Sequence, residues 1–489
     1  MNLSGITQYI KKAFCLKGLV LLCVIRTSFC VSVDKEPLKI AVLGFGSRAN
    51  DVLLDCVKIS DNIRVVAICD DYFNQSLDFF LNVLEAKKDP CITIYKKIFD
   101  GVHVYADNDN GLVELLKRHP DVDRIFITSP NFNHLRDLNA VVNHSACKKV
   151  YMEKPIFKSL DDLASFNMPD NDMQILIGLT LRYSSMAKIV AMNLQKFKKE
   201  LGNLKKVKAH EAIRFNQGVG PFMMSWRRFI SLSGGFLLEK CIHDLDLALF
   251  FIDAFGIDPC EIDITSHAEH KIFKQSNKQN IINEVERNIP LQNALATLSL
   301  WHFKPGIPLH RDEHNNIIWS YTIDAIFKNL PEDDNFDSSD IIPDYHVLNA
   351  VLKHKQGASI DFELKAECKE FALNTTRTQH FIFDHGFVTI DVMKSIMTIQ
   401  LDTGKTYEFD LKTENSDHAD GDKYIAKTIL GMTDNENYIA TIDDSIVRLA
   451  SLMGLVSEYQ VLHKQTNASR LVRHNNQWTI KKLINVSSI

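Results

Sequence analysis

Two residues suited to proton transfer stand close together near the middle of the 489-residue sequence. A Gly234-Gly235 turn leads into an apolar stretch that carries Glu239, His243 and Asp246. On a predicted helix, Glu239 and His243 lie four positions apart and share one face, with Asp246 close to it. A carboxylate beside an imidazole can orient the ring and adjust its proton affinity, which suits acid–base catalysis. The alternative is a structural pair, a buried histidine beside a surface glutamate, and the surrounding elements decide between the two.

The element that would bring a cofactor to this pair lies near the start of the chain. The apolar strand Leu38–Leu43 runs into Gly44-Phe45-Gly46-Ser47-Arg48-Ala49, a G-x-G-x-x-A pattern that opens an amphipathic helix. The first glycine allows a tight turn, the second lets the backbone approach a pyrophosphate, and the small third residue lets the helix pack on the strand. The strand before and the helix after give the pattern its specificity. The residues predicted to bind a dinucleotide here are Gly44, Gly46, Ser47, Arg48 and Ala49.

The acid at the end of the second predicted strand bears on the choice of cofactor. Ile63–Cys69 is apolar and rich in β-branched residues, and Asp70 follows it directly. A carboxylate at this position accepts hydrogen bonds from the adenosine ribose and would repel the 2′-phosphate of NADP. The sequence therefore predicts NAD rather than NADP, with a simple turn acid as the alternative role of Asp70.

Polar residues also follow the later strands of this region. Strands alternate with helices up to Met152, which predicts a parallel, doubly wound sheet, and ligands bind such sheets beyond the carboxyl ends of the strands. Lys154 is expected to project from a strand end, because Pro155 favours an extended conformation of the residue before it. Its ammonium could hold a substrate hydroxyl or assist proton transfer, whereas an exposed lysine is the alternative. The other residues predicted to bind the cofactor at this edge are Thr128, Pro130, Asn131, His134 and Glu153.

Taken in order along the chain, these motifs resemble those of the Gfo/Idh/MocA oxidoreductase family, the glucose–fructose oxidoreductase and inositol dehydrogenase group. The resemblance is strong over residues 38–255 and weaker to residue 465. It implies an NAD-dependent oxidoreductase that transfers a hydride between nicotinamide and a secondary hydroxyl of a sugar, polyol or inositol-like substrate. It also implies that Lys154, Glu239 and His243 are catalytic, with glutamate in place of the family's aspartate at Glu239. The residues implied to contact the substrate are Arg182, Asn131 and His243.

The predicted architecture is α/β, with two domains between a leader and a tail. The predicted segments are a leader of residues 1–36, an NAD-binding Rossmann domain of residues 37–180, a C-terminal domain of residues 181–465 and a tail of residues 466–489. The resemblance implies that the C-terminal domain contains a large, mostly antiparallel open sheet. The free face of that sheet would join subunits in a homodimer or homotetramer. Alternating apolar residues in Ser359–Lys365 indicate one of its half-exposed strands.

Composition and charge narrow the remaining possibilities. The net charge of -5 provides no basic surface for nucleic acid, and no apolar run in the body of the protein reaches transmembrane length. The segment Lys11–Arg26 has the outline of a signal peptide without a clean cleavage site, and the ten cysteines form no disulfide framework. A cytoplasmic protein is therefore expected, with export or tethering as the alternative. The polar stretches 271–287 and 305–316 are predicted to be inserted loops, and the histidines of the second lack the framework of a metal site.

Two other functions are compatible with the same motifs. An enzyme that retains NAD could cleave a glycoside or epimerise a sugar through transient oxidation, and it would release no net NADH. A nucleotide-binding sensor or interaction protein would carry out no turnover, although binding alone does not require Lys154 and His243.

Overall fold

Two β-sheets organise the computed structural model of the protein, one with six strands and one with ten. The residues that the structure describes are 36–166, 173–299, 310–328, 330–332, 340–355, 357–412, 418–433, 440–474 and 477–482. Helices alternate with the strands of the first sheet and intervene between those of the second. The α/β class predicted from the sequence is therefore confirmed.

The six-stranded sheet has the strand order β3-β2-β1-β4-β5-β6, and its strands pair in parallel. The order reverses between β1 and β4, so the carboxyl ends of these two strands form the point at which such sheets bind ligands. Ile40, Ala41, Val42 and Leu43 are fully or almost fully buried, because helices cover both faces of a parallel sheet. The strands are β1 (Leu38–Leu43), β2 (Ile63–Cys69), β3 (His103–Tyr105), β4 (Arg124–Ile127), β5 (Lys149–Met152) and β6 (Gln174–Ile177).

Helices connect the strands of this sheet. The first of them follows the glycine turn directly and buries Ala49, Val52 and Leu53. A short 3₁₀ turn, Asn131–Asn133, follows β4 and places the polar loop predicted at the sheet edge. The helices are α1 (Ser47–Ile59), α2 (Phe73–Ala86), α3 (Ile92–Lys97), α4 (Asp109–Arg118), α5 (His134–His144) and α6 (Leu160–Ser165).

The ten-stranded sheet has the order β14-β13-β12-β11-β7-β10-β9-β8-β15-β16. Within the described residues, neighbouring strands of this sheet pair antiparallel except β7 with β10. Ile360, Phe362 and Leu364 are buried while their neighbours are not, which confirms the predicted half-exposed strand. The strands are β7 (Leu204–Ile213), β8 (Pro259–Glu269), β9 (Tyr345–His354), β10 (Ser359–Cys368), β11 (Thr376–Phe383), β12 (Gly386–Asp391), β13 (Ile396–Leu401), β14 (Thr406–Asp410), β15 (Ser469–His474) and β16 (Gln477–Lys482).

The helix that carries the predicted catalytic pair is not regular. Leu237–Cys241 forms a π-helical turn, and a regular helix begins only at Ile242. The sequence predicted one continuous α-helix, so its beginning is wrong, although Glu239 and His243 still lie about one turn apart. The helices of this part are α7 (Thr180–Tyr183), α8 (Ser185–Lys196), α9 (Lys198–Leu201), α10 (Phe215–Gln217), α11 (Ile230–Ser233), α12 (Ile242–Ala254), α13 (Lys278–Arg287), α14 (Ile289–Ser299), α15 (Trp319–Phe327), α16 (His418–Ile429) and α17 (Ser445–Leu462).

Two segments differ from the sequence prediction. Residues 271–287 are not a loop, because α13 occupies most of them and buries Ile281, Ile282 and Val285 along one face. The predicted tail also contains structure, since β15 pairs with β8 and β16 pairs with β15 at the edge of the large sheet. Residues 305–309 of the second predicted loop lie outside the described residues.

The last helices return to the first sheet. Gly421 in α16 lies against α7, where an added Cβ would stand 2.0 Å from the carbonyl oxygen of Thr180. Thr441 forms an antiparallel bridge with Leu176 of β6, and Ile442 N donates to the carbonyl oxygen of Ile175 at 3.1 Å. The outer edge of the six-stranded sheet is thus covered by a segment from the end of the chain.

Within the described residues, the requirements of a membrane-spanning helix, a disulfide and a metal site are not met. No helix there is long and apolar enough to cross a membrane. The cysteines described are all free, and no group of three or more His, Cys, Asp or Glu residues in these ranges could hold a metal ion. Residues 1–35 of the predicted leader lie outside the described residues.

Candidate active site

A cavity of about 270 Å³ lies at the carboxyl ends of β1 and β4, where the order of the first sheet reverses. The turn after β1, the loops after β4 and β5, and a segment before the π-helical turn contribute to its walls. Most of the residues predicted to bind the cofactor are among those that line it. The lining residues are Gly44, Phe45, Gly46, Ser47, Arg48, Asn50, Asp70, Ser76, Phe79, Phe80, Thr128, Ser129, Pro130, Asn131, Glu153, Lys154, Ser225, Trp226, Arg227 and Glu239.

The two glycines of the turn after β1 have different roles. Gly44 has a φ of +81°, and an added Cβ would stand 2.3 Å from the Cα of Ser129, so this position needs glycine for both reasons. An added Cβ at Gly46 would meet nothing within 4 Å, which leaves open space where the chain enters α1. The helix N-terminus and this bare backbone together suit a pyrophosphate, so the turn fits a dinucleotide.

Asp70 is buried at the end of β2 and is held in place by the backbone. Its Oδ2 accepts a hydrogen bond from Phe45 N at 2.8 Å, and its Oδ1 accepts one from Tyr72 N at 2.7 Å. The carboxylate lines the cavity, and each of its oxygens can accept a further hydrogen bond. It therefore fits the ribose contact predicted from the sequence.

Arg48 is held inside the protein by acidic and phenolic groups. Its Nε donates to Glu153 Oε1 at 2.6 Å, its Nη1 and Nη2 donate to Asp422 at 3.0 and 2.5 Å, and Nη2 also donates to Tyr151 Oη at 3.3 Å. This network connects α1 to β5 and to α16. Arg48 and Glu153 both line the cavity, so their predicted contacts with the cofactor stay predictions.

The loop after β4 is fixed by its own polar residues. Thr128 Oγ1 donates to the carbonyl oxygen of Gly44 at 2.5 Å. This hydrogen bond joins the loops after β1 and β4 at the switch point, the place where the strand order reverses. The ring nitrogens of His134 lie 2.7 Å from the carbonyl oxygen of Pro155 and 2.9 Å from that of Ser129. His134 is buried and does not line the cavity, so its contacts indicate that it positions the loops.

The polar centre of the cavity is formed by four side chains from distant parts of the sequence. Glu239 Oε2 accepts from Asn131 Nδ2 at 2.7 Å, and Oε1 accepts from Arg227 Nε at 2.6 Å. Lys154 Nζ lies 3.8 Å from Glu239 Oε1 and donates to the backbone carbonyl oxygen of Glu239. The structure thus places Lys154, Asn131 and Glu239 together, as their predicted roles require.

Burial and charge act in opposite directions on this group. Burial lowers the pKa of Lys154, and Glu239 and Glu153 offset only part of that effect. Burial opposes ionisation of Glu239, but Lys154, Arg227 and the Asn131 hydrogen bond outweigh it and hold its pKa below the usual value. The centre therefore contains an ionised carboxylate beside a lysine that loses its proton more readily than a free one.

His243 stands at the start of α12, four residues after Glu239, and only 7% of it is exposed. His243 is not among the residues that line the cavity. A buried cluster holds its helix on the large sheet: Arg377 Nη2 donates to Glu211 Oε1 at 2.5 Å, and Arg377 Nε lies 3.0 Å from Asp244 Oδ1. Burial raises the pKa of Asp244, as does the neighbouring Glu211, although Arg377 opposes both.

Arg182 is placed away from the cavity. It is 2% exposed, makes a bidentate ion pair with Asp246, and donates to Asp444 Oδ2 at 2.7 Å. Burial raises the pKa of Asp246 to about 6 although Arg182 opposes this shift. All the donors that contact these carboxylates belong to a link between α7, α12 and α17, so we assign Arg182 to that link and not to substrate binding.

Sequence reasoning missed one wall of the cavity, formed by Ser225, Trp226 and Arg227. The Arg227 guanidinium lies over the Trp226 ring at 4.7 Å from its centroid, and the Trp226 and Phe132 rings meet edge to face at 5.6 Å. Trp226 is one of four tryptophans in the chain, and it precedes two arginines shortly before the Gly234-Gly235 turn. That local composition was the available signal, because an aromatic ring beside cations is typical of a binding surface.

Two sequence models of one family match the chain in the regions that form the two sheets. The model for the oxidoreductase family, NAD-binding Rossmann fold, matches residues 38–166. The model for the oxidoreductase family, C-terminal alpha/beta domain, matches residues 198–288. The chain belongs to the Gfo/Idh/MocA oxidoreductase family. The resemblance found in the sequence motifs is thereby confirmed for the family and for its NAD(P)-binding domain.

Solved structures of several oxidoreductases and dehydrogenases share this fold at low identity. A levoglucosan dehydrogenase in complex with NADH and levoglucosan matches with a TM-score of 0.53 and 10% identity, over 91% of this chain and 99% of that one. The scyllo-inositol dehydrogenase from Lactobacillus casei with NAD(H) and scyllo-inositol gives 0.50 and 14%, over 89% and 99%. An oxidoreductase domain protein from Kribbella flavida gives 0.51 and 11%, over 91% and 99%. No curated protein sequence matches the chain significantly.

Proposed function

We propose that the protein is an NAD-dependent dehydrogenase that oxidises a secondary hydroxyl of a sugar, polyol or inositol-like substrate. The observation that carries the proposal is the meeting of Lys154, Glu239, Asn131 and Arg227 in the cavity at the switch point of a dinucleotide-binding sheet. Binding a nucleotide alone would not require a half-buried lysine with a lowered pKa beside an ionised carboxylate.

The cofactor we propose is NAD. Gly46 and the N-terminus of α1 would hold its pyrophosphate, and Asp70 would accept from its adenosine ribose. The buried Asp70 carboxylate, which Phe45 N and Tyr72 N already orient, disfavours a 2′-phosphate. When bound, NAD supplies the hydride acceptor of the reaction.

Side chains of the protein would remove the proton of the substrate hydroxyl and stabilise the negative charge that develops on its oxygen. The Lys154 ammonium would donate a hydrogen bond to the oxygen on which negative charge develops. His243 stands one turn from Glu239 but outside the lining of the cavity, so we propose that the proton of the substrate hydroxyl reaches it through Lys154. Glu239 keeps Lys154 in place and, with Asn131, provides acceptors and donors for neighbouring hydroxyls. The lowered pKa of Lys154 also lets it pass a proton onwards.

The substrate class has support from the relatives whose fold the chain shares. Two of these solved structures contain a polyhydroxylated ring beside the cofactor, levoglucosan with NADH in one and scyllo-inositol with NAD(H) in the other. We further propose a cytoplasmic homodimer or homotetramer whose subunits meet through the ten-stranded sheet. The free cysteines of the described residues agree with a reducing compartment.

The experiment that tests the proposal is a titration of the full-length protein with NADH and NADPH, followed by tryptophan fluorescence. Asp70→Ala should weaken NADH binding about 10- to 100-fold, since a hydrogen bond to a charged acceptor contributes roughly 1.5–3 kcal/mol. Asp71→Ala is the matched control, because Asp71 is exposed and accepts from Asp107 N outside the cavity.

The outcomes separate the candidate functions. Equal effects of Asp70→Ala and Asp71→Ala, or no binding of either nucleotide by the wild type, would contradict the cofactor assignment. NADH binding followed by a screen of sugars and polyols that yields net NADH would support the dehydrogenase. Conversion of a sugar without net NADH would instead indicate an enzyme that retains its cofactor.

A further inference from the structure

The connection between β8 and β9, residues 270–344, is far longer than neighbouring antiparallel strands require. Such strands can be joined by a two-residue turn, yet this connection contains α13, α14 and α15. Its described parts pack against the segment that precedes the missed wall of the cavity. The wall itself is short: Trp226 is 6% exposed, and Arg227 lies over its ring with its Nε bonded to Glu239.

Arg228 joins this wall to the connection. It directly follows Arg227 but points into the protein, where only 5% of it is exposed. Its Nη2 donates to the carbonyl oxygen of Ile326 at 3.0 Å, in the last turn of α15, and its Nη1 donates to that of Met223 at 3.4 Å. Within the described residues no carboxylate pairs with it, and burial lowers its pKa. A guanidinium at the carbonyl end of a helix is favourably placed, because those carbonyl oxygens carry partial negative charge.

The far end of the connection holds the residues that follow Arg228. Ile342 N donates to the carbonyl oxygen of Arg228 at 2.8 Å, and Ile341 forms an antiparallel bridge with Phe229. Asp340 accepts from Ser231 N at 2.6 Å through its side chain, and its carbonyl oxygen accepts from Ile230 N at 2.9 Å. The segment that carries the wall is therefore held from both the α15 end and the β9 end of the connection.

We propose that the β8–β9 connection fixes the Trp226–Arg227 wall, and that Arg228 is the positioning residue through which it selects and orients the substrate. This inference rests on the proposed function and deepens it. Arg227 Nη1 and Nη2 make no hydrogen bond in the described part of the chain, so they remain available to an oxygen acceptor on a bound molecule. A displacement of Arg228 would move Arg227, which bonds Glu239, and would thereby disturb the contact between Glu239 and Lys154.

The test compares Arg228→Met and Arg228→Lys with Arg124→Met in the full-length protein. Arg124 is a matched control, because its Nε donates to the carbonyl oxygen of Ile429, the last residue of α16, and it does not line the cavity. Arg228→Met should raise the KM for the substrate about tenfold with a smaller change in kcat, since displaced contacts weaken positioning. Arg228→Lys should recover part of the loss, and Arg124→Met should lower only the melting temperature.

A second readout does not depend on turnover. Arg228→Met should red-shift the emission of Trp226 and increase its quenching by acrylamide, with the Trp226→Phe forms of both proteins subtracted as background. Asp340→Ala, which perturbs the other end of the connection, should change the same signal in the same direction. If both variants melt at lower temperature but leave the Trp226 signal and the KM unchanged, the inference is overturned. If NADH does not bind the wild type, the proposed function fails while the fluorescence comparison still decides this inference.

Discussion

Glu239→Gln gives the sharpest test of the electrostatics of the polar centre. The substitution keeps the shape of the side chain and removes its charge. The carboxylate accepts from Asn131 Nδ2 at 2.7 Å and from Arg227 Nε at 2.6 Å, and it lies 3.8 Å from Lys154 Nζ. An amide has one acceptor oxygen, so it can serve only one of the two donors well and turns its own NH₂ towards the other.

The size of the effect follows from these contacts. Two unit charges 3.8 Å apart attract by about 4 kcal/mol at an effective dielectric constant of 20. The loss of one charge-assisted hydrogen bond costs roughly 1.5–3 kcal/mol, which corresponds to a 10- to 100-fold fall in turnover if the orientation of Lys154 is needed in the transition state. Glu239 also favours the charged form of Lys154, so its removal lowers the pKa of Lys154 further.

The sign of the pH effect is therefore fixed. If the Lys154 ammonium stabilises the developing oxyanion, turnover falls as pH rises through the pKa of Lys154. In Glu239→Gln this alkaline limb should move to lower pH, measured as NADH formation from pH 6 to pH 11. Glu153→Gln should move it in the same direction by less, because Glu153 is the smaller of the two favourable charges. The rate at which an amine-reactive reagent modifies Lys154, followed by mass spectrometry over the same pH range, reports the change in the pKa of Lys154 without a substrate.

A stationary alkaline limb, or one that moves to higher pH, would refute the reasoning. Unchanged turnover in Glu239→Gln would mean that the carboxylate only packs the site. An equal shift in Glu153→Gln would contradict the order of the two charges derived from the structure.

Two further predictions concern His243 and Glu458. His243→Ala should lower turnover at least ~100-fold, the range for a positioned proton-transfer group, and near-normal turnover would remove His243 from the mechanism. Burial raises the pKa of Glu458 to about 8, although Leu237 N and Leu238 N donate to its carboxylate. The folded state then keeps a proton that the unfolded chain releases near pH 4.5, so stability falls as pH rises from about 4.5 to 8. Glu458→Gln, which cannot ionise, should gain roughly 5 kcal/mol of unfolding free energy relative to wild type across that window, and a pH-independent difference in denaturant titrations would contradict the shift.

The sequence predicted which residues meet at the carboxyl ends of β1 and β2. The glycines and Asp70 stand at strand ends, where local pattern and the rules of parallel sheets decide position. Gly44, Gly46 and Asp70 accordingly line the cavity. Lys154 and Glu239 line the same cavity, and each belongs to a motif that the family resemblance supplied.

The features of the fold and the site that the sequence did not predict depend on contacts between residues far apart in the chain. Nothing in the sequence indicated the partner of Arg48, because Asp422 lies 374 positions further along the chain. Arg182 looked like a substrate ligand, yet Asp246 and Asp444 bind it. The polar composition of residues 271–287 hid the apolar stripe of α13, whose buried residues include Ile281 and Val285. Neither composition nor a short motif contains information about such partners.

The return of α16 and of residues 440–442 to the first sheet has a consequence for the synthesis of the protein. Arg48 pairs with Asp422 and β6 bridges to Thr441, so the sheet whose strands are synthesised first is completed by segments that are synthesised much later. Contacts of such large sequence separation slow folding and leave apolar surface and a free strand edge exposed in the nascent chain. We therefore expect that the nucleotide-binding domain does not fold stably when it is produced without these later segments. A nascent chain that ends before residue 418 would lack both the Arg48–Asp422 ion pair and the bridge between Leu176 and Thr441.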